Sequence, residues 1–578
     1  EVSGSKTWNL QSTGFESAGI NFTSIEVANS GNNGKLNGTS LSDSFVIRGS
    51  QSITANGTTF NQVTNVDAKG YSSASELDTV SGSNTWNLLA TGFESSGIDF
   101  INTEIANSSA NGLINGTELK DEFLINGTQS VDVNGTTFNQ ITRVDAKGNT
   151  VADELDTVSG SSTWTLLAAG FESTGISFTN IEVANSGSKG KLSGTNNADH
   201  FVIQGSQSVA ANGTTFNQIV NVDAIGAFSF GGIDTVSGSS TWDLLSEGFK
   251  ADGIIFTNTE VANSGADGLV NGTDLKDEFV ILGTQSVKAN GTTFNQVTKV
   301  DAKNNALGQF DTVSGSNTWD ILSEGFKASE INFFNIETAN SGAAGSVNGT
   351  ELEDEFEITG IQSVAINGTT FNQVTQVDAK GNTVEGELDT VSGSNTWDLL
   401  SEGFKASEIS FLNTEIANSG SEGVLNGTSN TDEFYLAGQQ SVTVNNTTFN
   451  QVTSVNAQGG DNKLVGMAVA DEFYLSAINS VAGISALATV AANSNKVTSQ
   501  GIDFDNITNI DGGAGENRVH GSAGSDSFQL TDTRQQLISN NMTFNNIQAV
   551  VAADGEDNLI GQDGQRWQVS NIDNTIVA

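Results

Sequence analysis

Along FLINGTQSVDVNGTTFNQITRVDA, Phe123, Ile125, Val131 and Val133 recur at even spacing with mostly polar or small residues between them. A period of two is the signature of a strand with one buried face. The runs are short, and Asn-Gly, Ser-Gly and Lys-Gly pairs interrupt them, as turns require. A helix fits poorly. Thr, Asn, Ser, Val and Gly are weak helix formers, and no apolar spacing of three and four persists. LLSEGFKA, from Leu244, allows at most one short helical turn.

The strand pattern repeats. Trp8, Trp86, Trp164, Trp242, Trp319 and Trp397 stand 77 or 78 residues apart, and NGTTFNQ returns at Asn56, Asn134, Asn212, Asn290 and Asn367. Six long repeats therefore start near residues 1, 78, 156, 234, 311 and 389 and fill 1–458. Each holds two related halves, with Gly82, Gly116, Gly160 and Gly194 marking successive starts at steps of 34 and 44. From residue 459 the pattern loosens: GGDNKLVG replaces DTVSGSNTW, and an alanine-rich stretch follows Val481. GIDFDNI and MTFNNI keep the beat, so 459–578 is expected to be a degenerate continuation or a cap.

Short strands, glycine turns and a fixed repeat predict an all-β repeat protein, an elongated parallel β-solenoid (β-helix) rod, in preference to a string of small β-sandwiches. Each half-repeat is expected to make two coils of roughly 20 residues, or alternatively a single coil, stacked at about 4.8 Å. Phe60, Phe138, Phe216, Phe294, Phe371 and Phe449 would form one core ladder, continued by Phe22, Phe100, Phe178, Phe256, Phe333 and Phe411.

Composition narrows the function. Proline and cysteine are both absent, while glycine numbers 65. That excludes collagen, disulfides and thiolate chemistry. The formal net charge of −45 argues against nucleic acid and anionic membrane surfaces as partners, and no apolar run is long enough for a membrane-spanning helix. The opening EVSGSKTW is in phase with DTVSGSNTW, so the chain is expected to be a mature or excised piece of something longer.

Candidate chemistry recurs with the repeat. An aspartate precedes the aromatic of each second half: Asp43, Asp121, Asp199, Asp277, Asp354 and Asp432, continued by Asp471 and Asp526. It reads either as an Asx-type turn or as a calcium ladder. Two tandem nonapeptides, GGAGENRVH and GSAGSDSFQ, resemble calcium-binding glycine-rich repeats, with Asp511, Asn517 and Asp526 as candidate ligands. Asn-Gly-Thr sequons occur at Asn37, Asn56, Asn115, Asn126, Asn134, Asn212, Asn271, Asn290, Asn348, Asn367 and Asn426, readable as glycosylation acceptors or as tight turns. No catalytic set emerges. His200 and His520 are isolated, and no cofactor besides calcium is indicated. If a cleft exists, it lies in 459–578 near Arg518, Arg534 or Arg566.

The V/L-x-G-S/T starts, the NGxxFNxI segments and the acidic, cysteine-free, proline-free repeats resemble the β-solenoid shafts of filamentous-haemagglutinin-like adhesins of two-partner secretion, which include biofilm matrix adhesins. The nonapeptides instead resemble those of calcium-binding giant adhesins. The resemblance implies an extracellular or cell-surface, non-enzymatic shaft acting in attachment. Its partners would be copies of itself, matrix polysaccharide or a cell-surface ligand. The alternatives are a calcium- or carbohydrate-binding repeat module, a self-assembling filament subunit and, more distantly, a polysaccharide-degrading β-helix enzyme.

Overall fold

The computed structural model describes residues 1–69, 76–148, 154–225, 232–303, 308–381, 384, 386–476, 495–555, 557–562 and 575–576. Among these there are strands and turns but no helix. The chain divides into two compact units, 1–273 with 285–298 and 274–284 with 299–578. Each is a β-solenoid of stacked parallel coils.

In the first unit, the second repeat shows the plan. Strands Thr79–Leu88, Ile105–Asn115 and Thr136–Asp145 lie side by side in parallel, with Trp86 beside Ile114 and Ile114 beside Val144. Like positions therefore stack, sharing main-chain hydrogen bonds along the ladder. Between the long strands the chain makes short antiparallel hairpins. Phe93–Ser95 and Ile98–Ile101 fold back from the end of Thr79–Leu88. Glu122–Gly127 and Ser130–Val133 lead antiparallel into Thr136–Asp145.

The hairpins interlock the repeats. Ile98–Ile101 pairs in parallel with Thr58–Asp67 of the preceding repeat. Glu122–Gly127 pairs in parallel with Thr157–Leu166 of the following one. A repeat thus completes its neighbours' sheets, which a string of separate sandwiches would not do.

The turns are longer than the expected 20 residues. Neighbours across the stack are 26, 28, 32 and 35 residues apart at Asp78/Glu104, Asn87/Asn115, Asn107/Asn139 and Asp121/Asp156. The reason is the bend inside each long strand, where the register shifts between Asn107 and Gly112 and between Val158 and Ser161. One strand thereby serves two faces, and one turn holds a bent strand plus a hairpin or loop.

Gly160 makes one such bend. Its φ is +90°, and a Cβ there would lie 2.1 Å from the Ile125 carbonyl oxygen. Gly148 has a similar φ of +77° with nothing within 4 Å. Gly160→Ala is therefore expected to lower the urea midpoint well beyond Gly148→Ala, which bears only the backbone strain of about 1–3 kcal/mol. Equal effects would remove the close approach as the reason for glycine.

The aromatic core also differs from the expected single ladder. Phe138 stacks beside Ala106, whereas Phe100 stacks beside Val66, so the two phenylalanine series belong to different stacks. They meet through Phe93, whose ring lies 5.2 Å from Phe100, nearly parallel, and 5.2 Å from Phe138, edge-on. Trp86 closes the group at 5.5 Å from Phe93 and 6.0 Å from Phe138. Rings prefer such offset and edge contacts to face-to-face columns, and the small Ala106 leaves room for Phe138 to cross the core. The Trp86 indole Nε1 donates to Ser108 Oγ at 2.8 Å, both residues being buried.

The second unit repeats this arrangement around Trp319 and Trp397. Strand pairing continues past 458: Glu433–Gly438, Lys463–Val465, Asn509–Asp511 and Met542–Asn545 lie side by side in parallel. Most of the alanine-rich stretch, together with Arg566 and Trp567, lies outside the described residues.

Candidate functional site

The recurring aspartates sit at turns. Asp43 Oδ2 accepts from the Thr39 N–H at 2.6 Å and from Thr39 Oγ1 at 3.1 Å. Asp121, Asp199, Asp354 and Asp432 make the same pair of bonds with the threonine four residues earlier. Asp471 and Asp526 accept the corresponding N–H of Met467 and Ser522. These carboxylates, and that of Asp277, are buried. Burial pushes Asp121, Asp354 and Asp471 upward, against the N–H bonds that hold them down. The geometry is that of an Asx-type turn.

A second carboxyl escaped notice in the sequence. The N–H of Asp43 donates to Asp78 Oδ1 at 2.7 Å, and Asp78 N–H donates to Glu104 Oε2 at 2.8 Å. Asp121/Asp156, Asp199/Asp234, Asp277/Asp311 and Asp354/Asp389 repeat the first bond. Asp78, Asp156, Asp234, Asp311 and Asp389 are fully buried. At Asp78 and Asp234 the other oxygen, Oδ2, is buried without a hydrogen-bond partner. Burial pushes Asp78 up to about 7 and Asp234 up to about 6; nearby carboxylates add to both shifts, and the N–H bond opposes them. The signal was present as the first residue of every DTVSG, which strand patterning alone passes over.

Asparagine takes this place further along. Asn462 Oδ1 accepts from the Asp432 N–H at 2.9 Å, while Nδ2 donates to the carbonyls of Ala457, Gly459 and Asn506 at 3.0, 3.0 and 3.1 Å. Asn517 likewise accepts from Asp471 N–H and donates to Asn546 O. NRVHG, from Asn517, is thus the solenoid's own DTVSG start rewritten. The calcium candidates take part in the fold's own hydrogen bonds. Both polar atoms of the Asn517 amide are committed, Asp526 Oδ2 binds Ser522, and Asp511 Oδ1 accepts from Gly513 N–H and Asn546 Nδ2. Among the described residues no three His, Cys, Asp or Glu side chains come together to hold a metal.

The sequon asparagines are similarly engaged. Asn56 Nδ2 donates to Gln11 O at 2.9 Å, and Asn134, Asn212, Asn290 and Asn367 reach the carbonyls of Leu89, Leu167, Leu245 and Leu322. Asn37 and Asn115 donate to Asn9 and Asn87 Oδ1, both at 2.7 Å. Asn126, Asn271, Asn348 and Asn426 donate to Asp132, Asp243, Asp320 and Asp398. In each sequon the nitrogen that would carry a glycan already tethers two segments of the fold. Asn56 and Gly57, with φ of 49° and 79°, form the tight turn that Asn-Gly favours.

The pattern changes in the second unit at strands Glu472–Leu475 and Arg518–His520, which pair in parallel with Glu472 beside Arg518 and Tyr474 beside His520. In the repeats the same register places Glu122 beside Thr157 and Leu124 beside Ser159. The Tyr474 and His520 rings stack at 4.4 Å and 18°, and the Tyr474 hydroxyl donates to Glu472. His520 Nε2, buried without a hydrogen-bond partner, lies 4.0 Å from Glu472 Oε2. Burial pulls the His520 imidazole down, toward its neutral form. Gln439, Gln500 and Glu516 join Glu472, Tyr474 and Arg518 around an open groove of about 540 Å³, with His520 behind the Tyr474 ring.

No protein-family model, curated protein or solved structure matches the chain. The groove is therefore judged on its own chemistry: one guanidinium, two carboxylates, two amides and one tyrosine ring. Of the arginines proposed near a cleft, Arg518 lines it, while Arg534 lies in the turn before strand Leu537–Ser539. His200, exposed, pairs its Nδ1 with Thr235 Oγ1 at 2.6 Å.

Proposed function

We propose that the chain is a structural shaft of a secreted or cell-surface bacterial adhesin, acting in cell–cell, cell–surface or biofilm-matrix attachment. The observation that carries this reading is the interlocking of repeats, each hairpin being hydrogen-bonded into a neighbouring repeat. Such a connection resists the separation of repeats under load, because main-chain ladders rather than side-chain contacts must break. The recurring aspartates and sequon asparagines support the same role, since their polar atoms already join one segment to another. The reading is non-enzymatic and extracellular.

Pulling single molecules from both ends tests it. The expected trace is a regular series of force peaks. Successive peaks should be roughly 250 Å apart, the reach of a repeat at about 3.3–3.6 Å per residue less its folded span. The trace should be the same in calcium and in chelator. Featureless extension at low force would overturn the shaft. Peaks that weaken in chelator would replace it with a calcium-holding repeat module.

A further inference from the structure

We propose that the groove between Glu472–Leu475 and Arg518–His520 binds a sugar ring of a neutral or amino-sugar-containing glycan. The location is the first argument. Thr157 and Ser159, Thr235 and Ser237, Thr312 and Ser314, and Thr390 and Ser392 occupy the register that Arg518 and His520 take here. An open groove also lies at the regular Thr390 and Ser392 register; what sets this one apart is that small hydroxyl side chains give way to a guanidinium, with an imidazole stacked on Tyr474.

The chemistry is the second. Arg518 and Gln439 supply planar donors, Gln500 lines the groove while its amide donates to Asp471 Oδ1, and Glu516 and Glu472, which already accepts from the Tyr474 hydroxyl, supply planar acceptors. Vicinal hydroxyls donate and accept at once, and a carboxylate or guanidinium engages two of them together. Tyr474 is 43% exposed, and its stack on His520 holds the ring in place as a wall for the apolar C–H face of a sugar. The groove is predominantly polar, unlike the apolar pockets that take lipids or drug-like molecules. Glu472 and Glu516 outnumber Arg518, within a chain of net charge −45, which disfavours phosphates and uronic acids and favours an ammonium-bearing sugar. Binding here does not depend on the shaft reading.

The test is calorimetric titration of the full chain with three probes: cellohexaose, a glucosamine hexamer and a galacturonic acid hexamer. The first two are expected to bind, the glucosamine hexamer more tightly, and the third not. Tyr474→Ala and Arg518→Ala should each weaken binding about tenfold or more, equivalent to about 1.4 kcal/mol. Tyr435→Ala should leave it unchanged, because Tyr435 is equally exposed but pairs with Val465 outside the groove. Circular dichroism confirms that each variant is folded. Absence of binding by either of the first two probes, equal binding of the uronate, or binding that survives both groove variants would overturn the proposal.

Discussion

Trp86→Ala is expected to destabilise the second repeat by about 3–5 kcal/mol, the usual cost of deleting a buried tryptophan. Trp86 is wholly buried against Phe93 and Phe138, and its indole N–H satisfies Ser108 Oγ. The substitution leaves a cavity beside the Phe93 and Phe138 rings and a buried hydroxyl without its donor. In a stacked array each repeat depends mainly on its neighbours, so the loss should be local. Calorimetry should show a lower-melting step beside the main transition, and hydrogen exchange should quicken first in 79–145. Trp86→Phe should recover part of the packing but not the hydrogen bond. An unaltered melting profile for Trp86→Ala would mean that the aromatic groups do not hold the repeats together.

Acidification is expected to stabilise the fold. Asp78 titrates near 3.8 when unfolded and at about 7 in the fold; Asp234 moves from 3.8 to about 6. Between these limits the folded chain keeps a proton that the unfolded chain releases. Stability therefore falls as pH rises through the window and is flat above it. Glu16, Glu278 and Glu433 are held below 4.5 by hydrogen bonds or a lysine partner, so their contribution is lost only at more acid pH. The optimum should lie near pH 5. The melting temperature should rise by roughly 5 °C between pH 8 and pH 5, on a scale of about 2–4 °C per kcal/mol for segments of this size.

The physical cause is the unpartnered Oδ2. Asn462 and Asn517 occupy the same place with an N–H donor aimed at backbone carbonyls. An aspartate there presents a donor only when protonated. Asp78→Asn should therefore raise the melting temperature at pH 8 and flatten the pH dependence. Net charge repulsion also eases on acidification, and the asparagine variant separates the two effects. A melting temperature that falls from pH 8 to pH 5, or an Asp78→Asn variant less stable at pH 8, would show that the carboxylate is the form the fold requires.

The alternation around Phe123 and the tryptophan spacing were enough to reach strands, repeats and a solenoid, because a one-sided buried strand writes its period directly into the chain. The coil length was not legible. A register shift inside a long strand changes which residues lie opposite, and nothing local records the partner, as Asn107 and Gly112 show. The aromatic group was missed for the same reason: Phe93, Phe100 and Phe138 meet across two stacks rather than along one.

The candidate sites divide similarly. Asp43 and Asn56 were visible as turn residues because each turn is local to a few residues, while the bonds from Asn56 to Gln11 and from Asp43 to Asp78 were not. Asp78 drew no reading in the sequence, and only burial beneath the Asp43 N–H made it a titrating group. Arg518 was legible only as an arginine near a possible cleft and His520 only as an isolated histidine, because their partners Glu472 and Tyr474 stand 46 residues earlier. By itself the sequence determined the strand period, the repeat length and the residues that make turns, since each depends on near neighbours. Tertiary structure decided the interlocking, the buried acid and the groove, because main-chain pairing between distant strands sets which side chains share a dry or an open space.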